Sequence, residues 1–569
     1  MDIENRLTPR VIKYSLFAIV ILAFVLRFWG AWDKDIIGDE ASYAFRSVGY
    51  LDYLGTNSQT QPVEWYKGTE LPFWTKLSFH DHPPLTFIIQ NVFFKVFGDS
   101  LWSARLPSAV FGSLSVILIY LIANILFGGQ FLGLLAALVF SLNNGLIGIS
   151  RTALMEPVLI FLILANIYSF FRFRENKNWW WVFGLTLGLA FLAKYTAIFL
   201  IPIYFIYLIL FERKTFFAPL SGARSLSDGR HGAFGGKNWR FYAALLLALL
   251  IFSPVLVYNY FLFQATGHFD LQFSYLFGQT TPEWSGLLGK TQDGFGEIIK
   301  NLLKTFGLID LLMFFCGLIY AFFVGKREKS KVFLFIFIYL IVLTLLLVKI
   351  GSAARFSALY GPVFVIFSAL FIRFLWQFSQ EKVGVLFKVI AVIFLVSALS
   401  FSIRENILRR DANNFGIAGL DNFLSQEIDK INPAFMPQTD NNHLNAIIEK
   451  AAADKNNVGI QQPVLIVYND NMAITTLQWI VYRRFFYHAL PFYYVENFLD
   501  AVNKDPQQLR NVLIYFIQST QNTLLNPFKK DKVVGDIFEK NLVQQGILPI
   551  KIIFGNNDLE MFKIYKFTL

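Results

Sequence analysis

The chain is poor in charged residues and nearly free of cysteine. Charged residues make up 16% of its 569 residues, and its single cysteine, Cys316, lies inside an apolar run. One cysteine excludes an intramolecular disulfide and a cysteine metal cluster. Soluble domains average about 25% charged residues. The composition therefore also excludes a purely soluble enzyme, a disordered protein and a fibrous repeat.

Apolar and aromatic side chains are in excess instead. Hydrophobic residues account for 55% of the sequence and aromatic residues for 18%, with 64 phenylalanines, and the mean hydropathy is +0.49. We therefore predict an integral membrane protein with many spans. A net charge of +11 would suggest nucleic acid in a soluble protein. Here basic residues retained on the cytoplasmic side of a membrane explain it, and no nucleic-acid partner is expected.

Long apolar runs predict about eleven membrane-spanning helices, each of roughly 20 residues. They lie near residues 13–32, 101–127, 131–150, 154–172, 179–193, 195–211, 241–263, 308–325, 332–349, 356–376 and 385–403. The first run is too long for a signal peptide and lacks a small-residue cleavage site, so it predicts a retained signal anchor.

Basic residues alternate from one predicted connection to the next. Starting from a cytoplasmic N-terminus, the basic clusters within 172–177, 213–240 and 326–331 all fall on the cytoplasmic side, as the positive-inside rule requires. The stretch 218–238, rich in Ser, Gly and Arg, is expected to be a mobile cytoplasmic connection. Everything after about residue 404 is then extracytoplasmic, and the cell (plasma) membrane is the expected location.

The composition changes near residue 404, which predicts two domains. Residues 1–403 form a transmembrane domain with outer loops 33–100 and 264–307, and residues 404–569 form a small α/β domain. Strand-like runs occur at 463–468, 511–518 and 551–554, and a turn at 555–558 leads into a closing strand at 559–567. Helical periodicity marks 420–432, 442–453, 472–484 and 496–503.

Two adjacent carboxylates follow the first predicted span. Asp39 and Glu40 adjoin an apolar helix end, where mutual repulsion and lost hydration raise the proton affinity of at least one of them. Such a group suits a general base that takes a proton from an attacking hydroxyl. The structural alternative is that Asp39 caps the next helix and Glu40 occupies its first turn.

The same outer loop carries His80, Asp81 and His82, followed by two prolines. Imidazole and carboxylate suit zinc or manganese, so the triplet is a candidate metal or acceptor site, as is His268 in the loop 264–307. Against metal binding, histidines two residues apart point to opposite sides of an extended chain. The prolines would then only stiffen the loop and begin the amphipathic stretch 85–97.

Several charged residues lie at the outer ends of predicted spans, where a charge is costly and marks a functional candidate. Glu156 begins a helix just ahead of Pro157, and capping that helix is its structural alternative. The cations on the same side break the positive-inside trend, and they are Arg105, Arg151, Lys194 and Arg355. Each alone can snorkel to the interface. Together they suit an anionic lipid headgroup.

In their order these motifs resemble those of the GT-C glycosyltransferases, nearest to the branch of protein O-mannosyltransferases and lipid A aminoarabinose transferases. The resemblance covers roughly residues 15–375. Its motifs are the acidic pair, His-Pro-Pro-Leu, Ala-Arg-Leu-Pro-Ser-Ala, Arg-x-x-Leu-x-Glu-Pro, a lysine between two spans and Arg-Phe-x-x-x-Tyr-x-Pro. It implies a polytopic α-helical GT-C fold that moves a sugar from a polyprenyl-phosphate carrier to an acceptor on the outer face, usually with inversion.

The resemblance also implies roles for single residues. Asp39 matches the catalytic base, and Glu156 matches a second acidic position near the acceptor or carrier. His82 matches the histidine of His-Pro-Pro. The cations expected around the carrier phosphate match Arg105, Lys194 and Arg355. Some relatives bind a metal ion through outer-loop residues and others need none, so a divalent metal ion is left open as a cofactor.

One feature departs from the protein O-mannosyltransferases, which carry MIR repeats in a central loop. The loop 264–307 is too short for them, and the additional domain is C-terminal. The acceptor, expected to be a protein, a lipid or a glycan, therefore need not be a protein hydroxyl. Two other classes stay open. A secondary transporter or flippase-like protein would place its charges near the bilayer midplane, and a scaffold or receptor would act through the C-terminal domain.

Overall fold

The computed structural model describes residues 8–55, 61–216, 239–279, 294–324, 330–378, 384–408, 414–429, 431–433, 436–455, 460–469, 471–525 and 533–569. Helices dominate these residues, and we name them in chain order. They are α1 (Pro9–Phe28), α2 (Asp39–Gly49), α3 (Pro62–Trp65), α4 (Leu85–Phe97), α5 (Leu101–Phe127), α6 (Gln130–Leu142), α7 (Asn144–Ser150), α8 (Glu156–Glu175), α9 (Trp180–Ala193), α10 (Leu200–Phe216), α11 (Trp239–Thr266), α12 (Leu271–Leu276), α13 (Phe295–Val324), α14 (Ser330–Ile350), α15 (Ala354–Ser357), α16 (Gly361–Phe378), α17 (Gly384–Ile403), α18 (Ile417–Glu427), α19 (Asn442–Lys455), α20 (Ile474–Leu477), α21 (Arg483–Tyr487), α22 (Val495–Lys504) and α23 (Val533–Gln544). The expected cytoplasmic connection 218–238 lies outside the described residues.

Seven strands accompany the helices in the described part of the chain. They are β1 (Ile431–Pro433), β2 (Ile460–Gln462), β3 (Val464–Tyr468), β4 (Phe492–Tyr494), β5 (Leu513–Ser519), β6 (Lys551–Phe554) and β7 (Glu560–Thr568).

The chain divides into two compact units. The first comprises Met1–Trp29, Lys76–Thr86 and Arg105–Leu408. The second comprises Gly30–Thr75, Phe87–Ala104 and Arg409–Leu569. Two pieces of the predicted outer loop 33–100 thus belong to the same unit as the C-terminal residues.

Among the described residues, eight helices are long and apolar enough to span a membrane, or nine if the bent pair α6 and α7 is one span. The sequence predicted about eleven. The difference lies mainly at 179–193 and 195–211, because α9 has only 14 residues. It stops where Lys194 takes an extended conformation (φ −165°, ψ 137°). The predicted multi-pass membrane architecture is confirmed.

Two breaks shape the membrane helices. The helix α13 begins at Phe295, earlier than the span predicted from residue 308, and it is interrupted at Gly307, whose φ of 76° is left-handed. The helices α6 and α7 meet at an angle of 58° at Asn143, which lies outside the helical region. Elsewhere the helices pack closely: Gly184 and Gly188 of α9 lie against Ala244 and Ala248 of α11, as small residues allow.

In the second unit, the five-stranded sheet has the order β4-β3-β5-β7-β6. The strand β3 pairs in parallel with β4 and β5, whereas β7 is antiparallel to β5 and β6. One face of the sheet is covered by α22 and α23, whose Phe498 and Phe538 pack with Phe516 of β5. The strands predicted at 463–468, 511–518 and 551–554 and the hairpin through 555–558 are confirmed, as is the small α/β character of this region.

Candidate active site

Glu156 is the centre of a buried charge cluster in the first unit. It is the first residue of α8, with Pro157 next to it. A proline in the first helical turn loses no hydrogen bond because that N–H has no intrahelical partner. The carboxylate is fully buried at the helix end that favours negative charge. The local sequence therefore both starts the helix and positions an acid at its beginning.

Two cations accompany this acid. Lys194, which follows the end of α9, places Nζ 2.5 Å from Glu156 Oε1, and Arg355 places Nε 3.8 Å from the same oxygen. The ammonium of Lys194 also lies 4.6 Å from the ring centroid of Phe356. Among the described residues, Glu156 Oε2 is buried and has no hydrogen-bond partner. The structure thus brings together three of the predicted site residues in a cluster with one net positive charge.

Arg151 and Arg105 form a second cationic group in this unit. Arg151 follows α7, and its Nη1 donates to the carbonyls of Leu26 at 3.0 Å and Trp29 at 2.8 Å. Its Nε and Nη2 are buried and have no hydrogen-bond partner within the described ranges. Burial, and then the charge of the nearby buried Arg105, lower the pKa of Arg151 to about 10. Buried guanidinium donors of this kind are suited to an anion, and binding of the carrier phosphate by Arg151 and Arg105 stays a prediction.

The residues His80, Asp81 and His82 also lie close together. The segment is a turn in which Phe79 N donates to the carbonyl of His82. His82 Nδ1 lies 2.9 Å from Asp81 Oδ2, and His80 Nδ1 lies 3.9 Å from Asp81 Oδ1. The argument against metal binding assumed an extended chain at these residues. That assumption is wrong, because the turn brings both imidazoles to the same carboxylate. A carboxylate between two imidazoles fits the ligand preferences of a divalent metal ion.

A buried carboxylate that the sequence analysis gave no role supports this turn. Asp270 caps the N-terminus of α12 and accepts hydrogen bonds from Phe273 N (2.8 Å), Tyr195 OH (2.7 Å) and Asn259 Nδ2 (3.0 Å). Burial, with a further contribution from the charge of Asp81, raises the pKa of Asp270 against the effect of these hydrogen bonds. The next residue, Leu271, donates its N–H to the carbonyl of His80.

His268 lies in the same loop. Its Nδ1 is 2.8 Å from the carbonyl of the adjacent Phe269. This contact is local, and a role for His268 in metal or acceptor binding stays a prediction.

Asp39 and Glu40 belong to the second unit. They are the first two residues of α2, and the N-cap position is Gly38, with φ 59°. The suggested cap by Asp39 is therefore wrong, since Asp39 lies inside the first turn. Asp39 is half-buried and Glu40 is buried. A helix N-terminus stabilises both negative charges.

Side chains further along α2 fix its position within this unit. Ser42 Oγ donates to Gln478 Oε1 at 2.6 Å. Arg46, which the sequence analysis did not single out, is buried and pairs with Asp52 at 2.5 Å. It also lies 4.9 Å from the ring of Phe87. No signal in the sequence marks Arg46, because its partners come together only through the fold.

Comparisons with known proteins agree with this architecture. Residues 81–221 match the family model described as dolichyl-phosphate-mannose-protein mannosyltransferase. The chain is 32% identical over 164 residues to Protein O-mannosyl-transferase 1 of Danio rerio, a match that covers 28% of this chain and 21% of that protein. It is 23% identical over 213 residues to the undecaprenyl phosphate-alpha-4-amino-4-deoxy-L-arabinose arabinosyl transferase of Yersinia pestis (strain Pestoides F), covering 36% of each. The chain thus spans about a fifth and about a third of the lengths of these two relatives.

Solved structures match over a greater length. ArnT from Cupriavidus metallidurans bound to undecaprenyl phosphate aligns with a TM-score of 0.52 and 12% identity, covering 97% of both chains. The oligosaccharyltransferase of Archaeoglobus fulgidus in complex with Zn and sulfate aligns with a TM-score of 0.51 and 13% identity, covering 89% of this chain and 68% of that one. The predicted resemblance to the GT-C superfamily and the predicted fold class are confirmed.

Proposed function

We propose that this protein is a membrane glycosyltransferase that moves a sugar from a polyprenyl-phosphate carrier to an acceptor on the extracytoplasmic face, with inversion. The observation that carries the proposal is the buried pair Arg105 and Arg151, in which two guanidinium N–H groups of Arg151 have no protein partner among the described residues. The positive charge of Arg105 lowers the pKa of Arg151, and a phosphate that accepts from the buried Nε and Nη2 of Arg151 would offset this unfavourable charge interaction.

The departure of the leaving group requires mainly fixed positive charge from the protein. Glycosyl transfer passes through a transition state with oxocarbenium character, and the leaving group here is a lipid phosphate. Such a group departs without a proton if its growing negative charge is stabilised by fixed cations. Arg105 and Arg151 supply that charge, and Arg355 adds to it. Lys194 contributes less, because Glu156 already neutralises it at 2.5 Å.

The acceptor hydroxyl must lose a proton as it attacks, so one general base is needed. We assign this role to Asp39 from the resemblance, with Glu40 beside it in the first turn of α2. Glu156 is engaged by Lys194, and we assign it to holding the cations in place. Its second oxygen, which has no hydrogen-bond partner in the described structure, then accepts a hydroxyl of the sugar or acceptor.

We further propose that His80, Asp81 and His82 hold a divalent metal ion. The two imidazoles converge on one carboxylate, and a structural neighbour of this chain is a complex with Zn and sulfate. A bound metal ion would supply positive charge for an anionic substrate group. The hydrogen bond from Leu271 N to the carbonyl of His80 and the buried Asp270 orient the turn.

For the orientation we propose a cytoplasmic N-terminus in the plasma membrane and an extracytoplasmic C-terminal domain. The helix α8 supports this arrangement. Glu156 lies at its start, and Arg172 and Arg174 lie in its last turn. With a rise of about 1.5 Å per residue, sixteen residues separate Glu156 from Arg172 by roughly 24 Å. The buried cluster and the basic cytoplasmic end thus lie near opposite faces of the bilayer.

One pair of features favours a second candidate, a transporter or lipid flippase. The span α6–α7 is broken, and Asp310 is a buried carboxylate inside a spanning helix. Broken helices and charges within the membrane are typical of transporters. Under this alternative the carrier would be moved across the bilayer without loss of its sugar.

The test uses the detergent-purified full chain and a panel of radiolabelled polyprenyl-phosphate sugars, comparing wild type with Asp39→Asn and Arg151→Gln. Release of label from the lipid by wild type, strongly reduced in both variants, would support the proposal, and the destination of the label would identify the acceptor. Arg172→Gln removes an arginine at the other end of α8 and is the matched control. Carrier binding without any transfer would favour the flippase, and no binding would overturn both.

A further inference from the structure

We infer that Asp310 is a positioning residue: it fixes the break between α6 and α7 and thereby sets the positions of Arg151 and Arg355. The inference rests on the proposed function for the phosphate-binding role of those two arginines. Asp310 lies in α13, outside the cluster around Glu156. The sequence analysis did not single it out. A buried carboxylate in a spanning helix is costly unless it has a role.

A helix break inside a membrane exposes backbone groups that water cannot satisfy. On the α6 side, the carbonyls of Phe140 and Ser141 accept from the buried guanidinium of Arg27 at 3.1 and 3.2 Å. The carbonyl of Leu142 accepts from Ser402 Oγ at 2.7 Å. Each of these three carbonyls at the end of α6 therefore has a side-chain donor.

On the α7 side of the break, the residues at the start of the helix are held by Asp310. Its Oδ2 accepts from the backbone N–H of Asn144 at 3.1 Å and from Asn143 Nδ2 at 2.7 Å. Asn143 Oδ1 in turn accepts from Leu146 N at 3.1 Å and caps α7. One carboxylate oxygen thus orients both the capping residue and the first residue of the helix.

Two short paths lead from this point to the arginines. The first is α7 itself, which has seven residues and ends directly before Arg151. The second runs through Asn144, whose Nδ2 donates to the carbonyl of Thr305 at 2.8 Å. Thr305 Oγ1 donates to the carbonyl of Ala354 at 3.1 Å, the residue before Arg355. A displacement of Asn144 therefore moves both arginines.

Close packing around α7 limits how far the helix can move independently of its neighbours. A Cβ atom on Gly145 would lie 2.7 Å from Thr305 Cγ2 and 2.9 Å from the ring of Phe306, which is too close for any side chain. A Cβ on Gly148, one turn later, would lie 2.9 Å from Asn406 Oδ1. The helix α7 therefore has no free space in which to shift while these contacts hold.

The experiment compares wild type with Asp310→Ala, Asp310→Asn and Asn166→Ala in the full chain. Asn166 is the matched control. It is buried in the same helical unit, and its side-chain hydrogen bonds in the described structure go to Phe183, Thr186 and Tyr204 rather than to α7. The two measurements are the affinity for undecaprenyl phosphate and amide hydrogen exchange over residues 144–157 and 354–360.

We expect Asp310→Ala to weaken the binding of undecaprenyl phosphate about tenfold, because both arginines that hold the phosphate are displaced. Exchange should become faster in both segments. Asp310→Asn should stay within about threefold of wild type, because its amide oxygen still accepts from Asn144. Asn166→Ala should alter neither measurement. If Asp310→Ala does not fold, Asn143→Ala should give the same pattern.

Unchanged carrier affinity and exchange in Asp310→Ala would overturn the inference. Equal losses in Asp310→Ala and Asn166→Ala would also overturn it, since they would reflect general destabilisation. If wild type binds no carrier at all, the proposed function fails. Selectively faster exchange in the two segments would then still support the positioning role of Asp310.

Discussion

The ammonium of Lys194 lies 2.5 Å from a carboxylate oxygen of Glu156, and both side chains are buried. The two residues come from neighbouring helices: Glu156 begins α8 and Lys194 follows α9. Each compensates the charge of the other, so neither side chain can be removed without leaving an unpaired charge in a poorly hydrated site. Arg355 is a second cation near the same carboxylate oxygen, with its Nε 3.8 Å away.

The first prediction concerns this pair. Lys194→Met leaves Glu156 buried without its nearest cation, and removal of one partner of a buried ion pair costs about 3–5 kcal/mol. We expect a matching loss in thermal stability in detergent and recovery of most of it in the double variant Glu156→Gln, Lys194→Met. Arg172→Met, which breaks the exposed pair with Glu175, should change stability by less than about 1 kcal/mol. A double variant as unstable as Lys194→Met would contradict the coupling.

The second prediction concerns the carrier phosphate. Arg151→Gln removes a buried charge whose Nε and Nη2 are available to an anion, and loss of one charged hydrogen-bonding partner weakens binding by about 2–3 kcal/mol. We expect the Kd for undecaprenyl phosphate to rise roughly 30- to 150-fold. The measurement is equilibrium binding to the purified protein, with Arg172→Gln as control. Equal affinity in wild type and Arg151→Gln would remove Arg151 from the phosphate site.

The third prediction separates base catalysis from binding. Asp39→Asn keeps the size of the side chain and removes its capacity to take a proton, and a positioned general base contributes about 10²–10⁴-fold in rate. We expect turnover to fall by that factor while carrier affinity stays within about twofold. Asp33→Asn, at an exposed position just before α2, is the matched control. If Glu40→Gln abolishes turnover and Asp39→Asn does not, the base is Glu40.

The fourth prediction concerns pH and the second unit. Burial raises the pKa of Asp99, but the charges of His488, Arg483 and Arg484 outweigh burial and hold that pKa well below its usual range. A depressed pKa stabilises the folded state above the ordinary carboxyl pKa of about 4, and the contribution is lost as the pH falls below it.

Asp99→Asn tests this contribution. We expect it to destabilise the protein at pH 7 by about 1–3 kcal/mol, with the difference from wild type shrinking as the pH falls from about 5 to about 3. Thermal unfolding across this range is the measurement. Asp505→Asn, in an exposed segment, should show no such trend. A difference that stays constant with pH would contradict the assignment.

The fifth prediction concerns the proposed metal ion. Wild-type protein purified without chelator should retain about one divalent metal ion per chain, and Asp81→Asn should retain much less, because the shared carboxylate is lost. Elemental analysis of the purified proteins measures this directly and does not depend on turnover. Asp33→Asn should match wild type. Equal metal content in Asp81→Asn and wild type would exclude Asp81 as a ligand.

Local patterns were sufficient for much of the fold. The apolar runs predicted spanning helices such as α5, α8 and α11, because hydrophobicity over about 20 residues is a property of the sequence alone. In the C-terminal region, the helix predicted at 442–453 is Asn442–Lys455 and the one predicted at 496–503 is Val495–Lys504. The prediction for 420–432 extended too far, since the helix ends at Glu427 and Ile431 begins a strand.

Other elements were missed because tertiary pairing decides them. The strands β1, β2 and β4 have only three residues each, and so short a run has no periodicity to detect. The helix α23 also went unpredicted. Its Phe538 packs against Phe516 of β5, and this contact brings together residues that are far apart in the chain.

The candidate site, like the fold, was predicted from the sequence only in part. Unusual charge next to apolar runs was enough to select Glu156, Lys194, Arg355, Arg105 and Arg151, because such charges are rare near membrane helices. Nothing in the sequence indicated that Glu156 pairs with Lys194 or that the charge of Arg105 acts on Arg151. Asp270 and Asp310 received no role, since their partners Tyr195, Asn259 and Asn143 come from other segments of the chain.

The sequence by itself thus determined the class of protein, the approximate spans and the residue types from which a site could be built, because hydropathy and charge act locally along the chain. Only the tertiary structure decided which acid neutralises which cation, where the span between α6 and α7 breaks, and that a turn brings His80 and His82 to one carboxylate. The first two of those outcomes depend on distances between residues that the chain separates by tens or hundreds of positions. Hydrogen bonds and ion pairs act over only a few ångströms, so the packing of the helices selects the partners.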